Sequence, residues 1–274
     1  MIAGPDERVE GLLDEAEQAL DDGDPILALQ LCEQALALVP GHPGTWFVRG
    51  DALRSLGDLE EAAQAYRTAA LGRPDHAACW SSLALTTFDL LRLDEAAGAA
   101  ARAIHEDPHD AEAWWVRSLV REWRGDAEGA HRAELHACWL DPEAYPLPPS
   151  LGDDEVEELV ADALRVMPEA LRDYLKDVAI ILDEIPDLET CRAYDPPCSP
   201  IDLLGYFSGA SLLERSHSDP WSQLPGTIVL FRRNLARRSA DRDELIEQLR
   251  ITLFHEVGHF LGLNEDDLEE RGLD

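Results

Sequence analysis

The stretch His255-Glu256-Val257-Gly258-His259-Phe260-Leu261-Gly262-Leu263-Asn264-Glu265 decides how the C-terminal half is read. On a helix, residues four apart project from one face a single turn apart, so His255 and His259 can grip one metal ion. Glu256 follows the first histidine and stands beside that ion, where it can take a proton from an attacking water. Gly262 lets the helix stop and the chain reverse. Glu265 then offers a carboxylate as third ligand. Three protein ligands and one open position make a catalytic zinc site. The helix is predicted from Leu245, Ile246, Leu249, Leu253 and Phe254, apolar at helical spacing, with Asp241 or Asp243 as cap. His255, Glu256 and His259 are the polar side chains of an otherwise apolar turn, and burying them without a metal would be costly.

Outward from this helix the chain reads as a small α+β domain over 153–274. Asp153 caps a helix to about Val166, and a short one follows Pro168. Val178-Ala179-Ile180-Ile181-Leu182 reads as a buried strand. Leu203-Leu204-Gly205-Tyr206-Phe207 reads as a second, and Gly226 to Arg232 as a third. Thr190 to Pro200 is expected to be a loop, and Gly209 to Gln223 an irregular or hairpin segment. The proline-rich stretch 143–152 reads as a linker.

The first half repeats. Trp46, Trp80 and Trp114 are spaced like Pro40, Pro74, Pro108 and Pro142, and like the alanines at 28, 62, 96 and 130 and at 35, 69, 103 and 137. The common period of about 34 residues, with these residue types, resembles the tetratricopeptide repeat. Trp46, Gly50, Ala62, Tyr66, Ala69 and Pro74 occupy that family's signature positions. Small alanines let paired helices approach, tryptophan fills space between repeats, and proline ends the second helix. Gly23, Gly57 and Gly125 punctuate the turns, and Leu91 breaks that series. Four repeats are expected over 7–142 as an all-α solenoid. The resemblance implies a groove for a protein or peptide partner, lined by Phe47, Arg54, Leu85, Phe88, Trp115 and Leu119.

The formal net charge is −33, with 28 acidic residues on each side of Pro149. Acidity this evenly spread argues against nucleic acid and anionic membranes as partners. One lysine, Lys176, stands among 22 arginines, which with the alanine richness hints at a GC-rich bacterial genome. No signal peptide or membrane-length apolar run is present, so a cytoplasmic location is expected. The five cysteines include no C-x-x-C pair. Cys32, Cys79 and Cys138 fall on apolar helical positions. Cys191 and Cys198 flank a loop and are expected to be reduced, a disulfide or second metal site being the other reading.

Residues 154–274 resemble the zincin-like minimal metallopeptidases of bacteria, on the segments 203–209, 224–232 and His255 to Asp267. The resemblance implies zinc on His255, His259 and Glu265, with Glu256 as base. It gives a chemistry without a target. Glu265 stands where metzincins place a third histidine, and no methionine follows the motif. Tyr206, His217 and Arg215 are the candidates for an oxyanion donor. The expected function is a zinc-dependent peptide-bond hydrolase with a repeat module that recruits protein or peptide. The alternative is a repeat adaptor whose zinc site is structural or inactive. An iron oxygenase would share two histidines and one carboxylate, but draws them more often from strands.

Overall fold

Trp46, Trp80 and Trp114 each donate the indole N–H to the carbonyl oxygen of the proline six residues upstream, Pro40, Pro74 and Pro108, at 3.0 Å. One contact made three times explains why tryptophan and proline share a period. The rings are only partly buried. Those of Trp46 and Trp80 pack against a cluster of Ala69, Ala70 and Cys79. Arg49, Arg102 and Arg117 place guanidinium groups over the three indoles at 5.3, 5.9 and 5.1 Å. Tryptophan therefore latches the loop before the second, third and fourth hairpins more than it fills a core.

The computed structural model describes residues 5–167, 169–211 and 226–269. The chain divides into two units between Pro146 and Leu147. The first holds four helical hairpins: α1 (Pro5–Asp21) with α2 (Pro25–Leu38), α3 (Pro43–Ser55) with α4 (Leu59–Gly72), α5 (Ala77–Asp89) with α6 (Leu93–Glu106), and α7 (Ala111–Trp123) with α8 (Ala127–Leu140). Ala35, Ala69, Ala103 and Ala137 are all fully enclosed, which shows why only a methyl fits there. Gly50 is equally constrained, because a Cβ there would come within 2.6 Å of the Tyr66 ring. Gly23, Gly57 and Gly125 turn with φ of 78°, 82° and 78°. Leu91 makes the same left-handed turn at φ 62°, so the break in the glycine series is a change of residue and not of turn.

The second unit contains α9 (Asp153–Val166), α10 (Glu169–Leu175), β1 (Ala179–Asp183), α11 (Leu188–Arg192), β2 (Gly205–Ser208), β3 (Thr227–Phe231), α12 (Arg232–Arg237), α13 (Arg242–Leu261) and α14 (Glu265–Glu269). Among the described residues the sheet runs β1-β3-β2, with β1 parallel and β2 antiparallel to β3. β3 is the buried central strand. β1 lies at an edge, with Ile181 44% exposed, so the apolar run at 178–182 is not the buried strand its composition implied. Ile228 and Leu230 of β3 share a core with Leu245, Leu249, Leu253, Val257 and Phe260 of α13 and Val156 and Val160 of α9. The third strand stops at Phe231 because Arg232 begins α12. A short helix, α11, occupies the start of the expected 190–200 loop, capped by the Asp187 side chain. Residues 212–223 of the expected 209–223 segment lie outside the described residues. Among the described residues no helix is long and apolar enough to cross a membrane.

Candidate metal centre

The helix α13 begins where its acidic cap allows. Asp241 accepts from the Glu244 amide at 2.9 Å, and Glu244 Oε2 accepts from the Ala240 amide at 2.7 Å. Leu245, Leu249, Leu253, Val257 and Phe260 turn one face into the core, which leaves His255 and His259 on the flank. At the far end Gly262 takes φ 89°, and the Leu263 amide donates to the Gly258 carbonyl at 3.0 Å.

That turn has a chemical consequence. His259 Nδ1 lies 3.2 Å from the Leu263 carbonyl oxygen. Since a carbonyl can only accept, Nδ1 carries the proton and Nε2 holds a lone pair. His255 Nε2 is 3.0 Å from His259 Nε2, with the rings at 84°. Two nitrogens bound at 2.0–2.1 Å to one tetrahedral metal stand about 3.3 Å apart. The pair therefore fits zinc in spacing, and His259 fits it in tautomer as well. Glu256 is buried at 5% exposure beside them.

All three line a cleft of about 370 Å³ together with Tyr194, Leu203, Tyr206, Gln248 and Thr252. Its opposite wall is β2 and the loop that leads into it. Asn234 of α12, fully enclosed, fixes that loop by donating from Nδ2 to the carbonyl oxygens of Pro200 at 2.7 Å and Leu203 at 2.8 Å. The Phe231 amide donates to Leu204 O at 2.8 Å and brings the loop into register with the sheet.

A family profile described as zincin-like metallopeptidase matches residues 175–273, and two described as tetratricopeptide repeat match 19–85 and 82–141. The chain carries a zincin-like metallopeptidase domain behind tetratricopeptide repeats. Among solved structures, MamA of Desulfovibrio magneticus is 21% identical over 50% of this chain and 77% of its own, with a TM-score of 0.45. A thermophilic TPR protein of Thermus thermophilus is 21% identical over 61% of this chain and 89% of its own, with a TM-score of 0.44. No curated protein matches the chain.

Within the zincin-like domain, Glu265 opens α14 just after the turn, and its side chain lies outside what the structure describes. Among the described residues no group of three His, Cys, Asp or Glu converges on one point. His217 and Arg215 also lie outside the described residues. None of the five cysteines forms a disulfide. Cys198 donates its amide to the Cys191 carbonyl at 3.2 Å and so closes the loop between them.

The six repeat residues expected in a groove separate into two sets. Phe88 and Leu119 are fully enclosed and Leu85 is 6% exposed, so these three belong to the repeat core and offer a peptide no surface. Phe88 instead meets the Trp123 ring edge-on at 5.3 Å. Phe47, Arg54 and Trp115 are half-buried. Phe47 packs near Tyr66 and His76, Arg54 pairs with Asp89 at 3.3 Å, and Trp115 lies against Tyr145 at 5.4 Å. Helical periodicity gave the face of these side chains but not whether the next helix covers it.

Two site features escaped sequence reading. Tyr194 reaches the cleft from the loop between α11 and β2. Gly258 is required by a neighbour that follows it in the chain, since a Cβ there would lie 2.3 Å from Leu268 Cδ2. The glycine within the motif was a signal for the second, and nothing local signalled the first.

Proposed function

We propose that the C-terminal domain is a zinc-dependent peptide-bond hydrolase, with zinc on His255, His259 and Glu265. The observation that carries this reading is the convergence of two imidazole Nε2 atoms, 3.0 Å apart, beside a buried glutamate in an open cleft. A zinc ion there supplies Lewis acidity toward a carbonyl and favours ionisation of water. Glu256 takes the proton of the attacking water and returns it to the leaving nitrogen. At the end of the described sheet, β2 presents main-chain groups to an extended peptide, which can add as a further strand. The repeats recruit the substrate or a partner protein through the surface around Phe47, Arg54 and Trp115, and we place the protein in the cytoplasm.

The test is metal content and turnover in three proteins. The parent should retain about one zinc per chain, and His255→Ala/His259→Ala should lose it. Glu256→Gln should keep zinc and lose cleavage, because it removes the base and no ligand. Zinc retained by the double variant refutes the site. Zinc bound without any cleavage in the parent favours the adaptor with a structural site.

A further inference from the structure

We propose that the Tyr194 hydroxyl is the hydrogen-bond donor to the oxyanion formed when water adds to a peptide carbonyl in this cleft. The inference rests on the hydrolase reading above. It selects between the two tyrosines that line the cleft.

Strand alternation sets Tyr206 aside. A Cβ on Gly205 would meet Thr252 of α13 at 3.2 Å, and Phe207 packs edge-on against Phe260 of α13 at 5.7 Å. Positions 205 and 207 therefore face α13. Tyr206 lies on the other face of the sheet, its ring 6.0 Å from that of Phe231. Burial, then the charges of Asp187 and Asp183, raises its hydroxyl, and Glu256 is not among the groups that act on it.

Tyr194 stands differently. Burial, then the negative charge of Glu256, pushes its hydroxyl up to about 12. Tyr194 and Glu256 line the same cleft, and the phenol keeps its proton throughout the neutral range. The loop that carries it is held at both ends. Asp187 accepts from the amides of Glu189 and Thr190 at 2.8 Å each, Cys191 is fully enclosed, and Cys198 N–H returns to Cys191 O. With 42% of its surface exposed, the Tyr194 side chain remains within reach of a bound peptide.

The water oxygen bonds to the carbonyl carbon while Glu256 takes a proton, and the π pair moves onto the carbonyl oxygen. Tyr194 donates a hydrogen bond to that oxygen and keeps its own proton. The pair returns, the C–N bond breaks, and Glu256 delivers the proton to nitrogen. A carboxylic acid and an amine leave.

The experiment uses the full zinc-loaded chain as parent, Tyr194→Phe and Tyr206→Phe. Turnover is measured on a mixture of quenched fluorogenic peptides, and acetohydroxamate binding by calorimetry. Tyr194→Phe should lower kcat about 100-fold or more, with KM within about twofold. It should weaken acetohydroxamate about tenfold, since a donor to a charged oxygen is lost, and leave zinc content unchanged. A Tyr194→Phe protein that matches the parent in both measurements overturns the proposal. So does a larger loss in Tyr206→Phe. A zinc-bound parent that cleaves none of the peptides overturns the hydrolase reading instead. Acetohydroxamate binding then decides whether Tyr194 donates into the site.

Discussion

Leu268 lies directly over Gly258, fully buried, and leaves no room for a side chain on the metal-binding helix at that point. α14 can fold back on α13 only because position 258 lacks a Cβ. Helix propensity alone would favour alanine at 258 by about 1 kcal/mol. We expect the opposite. Gly258→Ala should lower stability by about 1–3 kcal/mol through overpacking. In the Gly258→Ala/Leu268→Ala protein the combined loss should fall at least about 1 kcal/mol short of the sum of the single losses. Urea unfolding of the four proteins checks this, and strict additivity would show that the two residues do not clash.

The three consecutive carboxylates after the turn should not be equivalent. Asp267 is engaged at the start of α14, where its amide donates to Asn264 Oδ1 at 2.8 Å and its carboxylate accepts from the Asn264 amide at 3.3 Å. Asp266 is exposed. Glu265→Ala should weaken zinc binding on the order of 100-fold or more, the scale set by loss of support around a metal ligand. Asp266→Ala should change it by less than about threefold. Asp267→Ala should cost about 1 kcal/mol of stability as a lost cap, with a mild effect on zinc. Zinc titration of the three proteins decides it. Loss of metal in Asp266→Ala with retention in Glu265→Ala would place the turn in another register.

Leu91 tests two opposed terms at one residue. Its left-handed backbone costs about 1–2 kcal/mol relative to glycine. Its side chain is 8% exposed, and burying a leucine contributes about 1.5–3 kcal/mol. Burial is the larger, so Leu91→Gly should destabilise the repeats by about 1 kcal/mol despite relieving the turn. A more stable Leu91→Gly protein in thermal unfolding would mean that backbone strain dominates.

Asp51 gives the repeats a pH dependence of defined sign. Burial pushes its carboxyl up from 3.8 to about 6, against the Tyr66 hydroxyl, which donates to it at 2.6 Å, and Arg54. Below 3.8 the folded and unfolded states both hold the proton. Between 3.8 and about 6 the folded state keeps a proton that the unfolded state has released, so stability from this residue falls as pH rises. Above about 6 the loss is complete. Asp51→Asn cannot titrate, so the stability of the parent relative to this variant should decline from pH 4 to pH 6 and then level. A difference that rises with pH over that range would contradict the assignment.

The sequence by itself determined what depends on local spacing. A residue four positions on returns to the same helix face whatever surrounds it, so His255 and His259 were legible as a pair, and Gly262 as their stop. The 34-residue period of tryptophan, alanine and proline was legible too, because three of the four hairpins repeat the same contact with the loop before them. Tertiary structure decided what depends on residues far apart in the chain. The apolar run at 178–182 became an edge strand because β3, not β1, received neighbours on both sides. Phe88 and Leu119 left the groove because the packed repeats enclose them fully. Tyr194 entered the cleft because α11, the Cys191–Cys198 loop and β2 bring it to the helix that begins almost 50 residues later. Such placements follow from closure of long loops and burial of shared surface, and no periodicity along the chain records them.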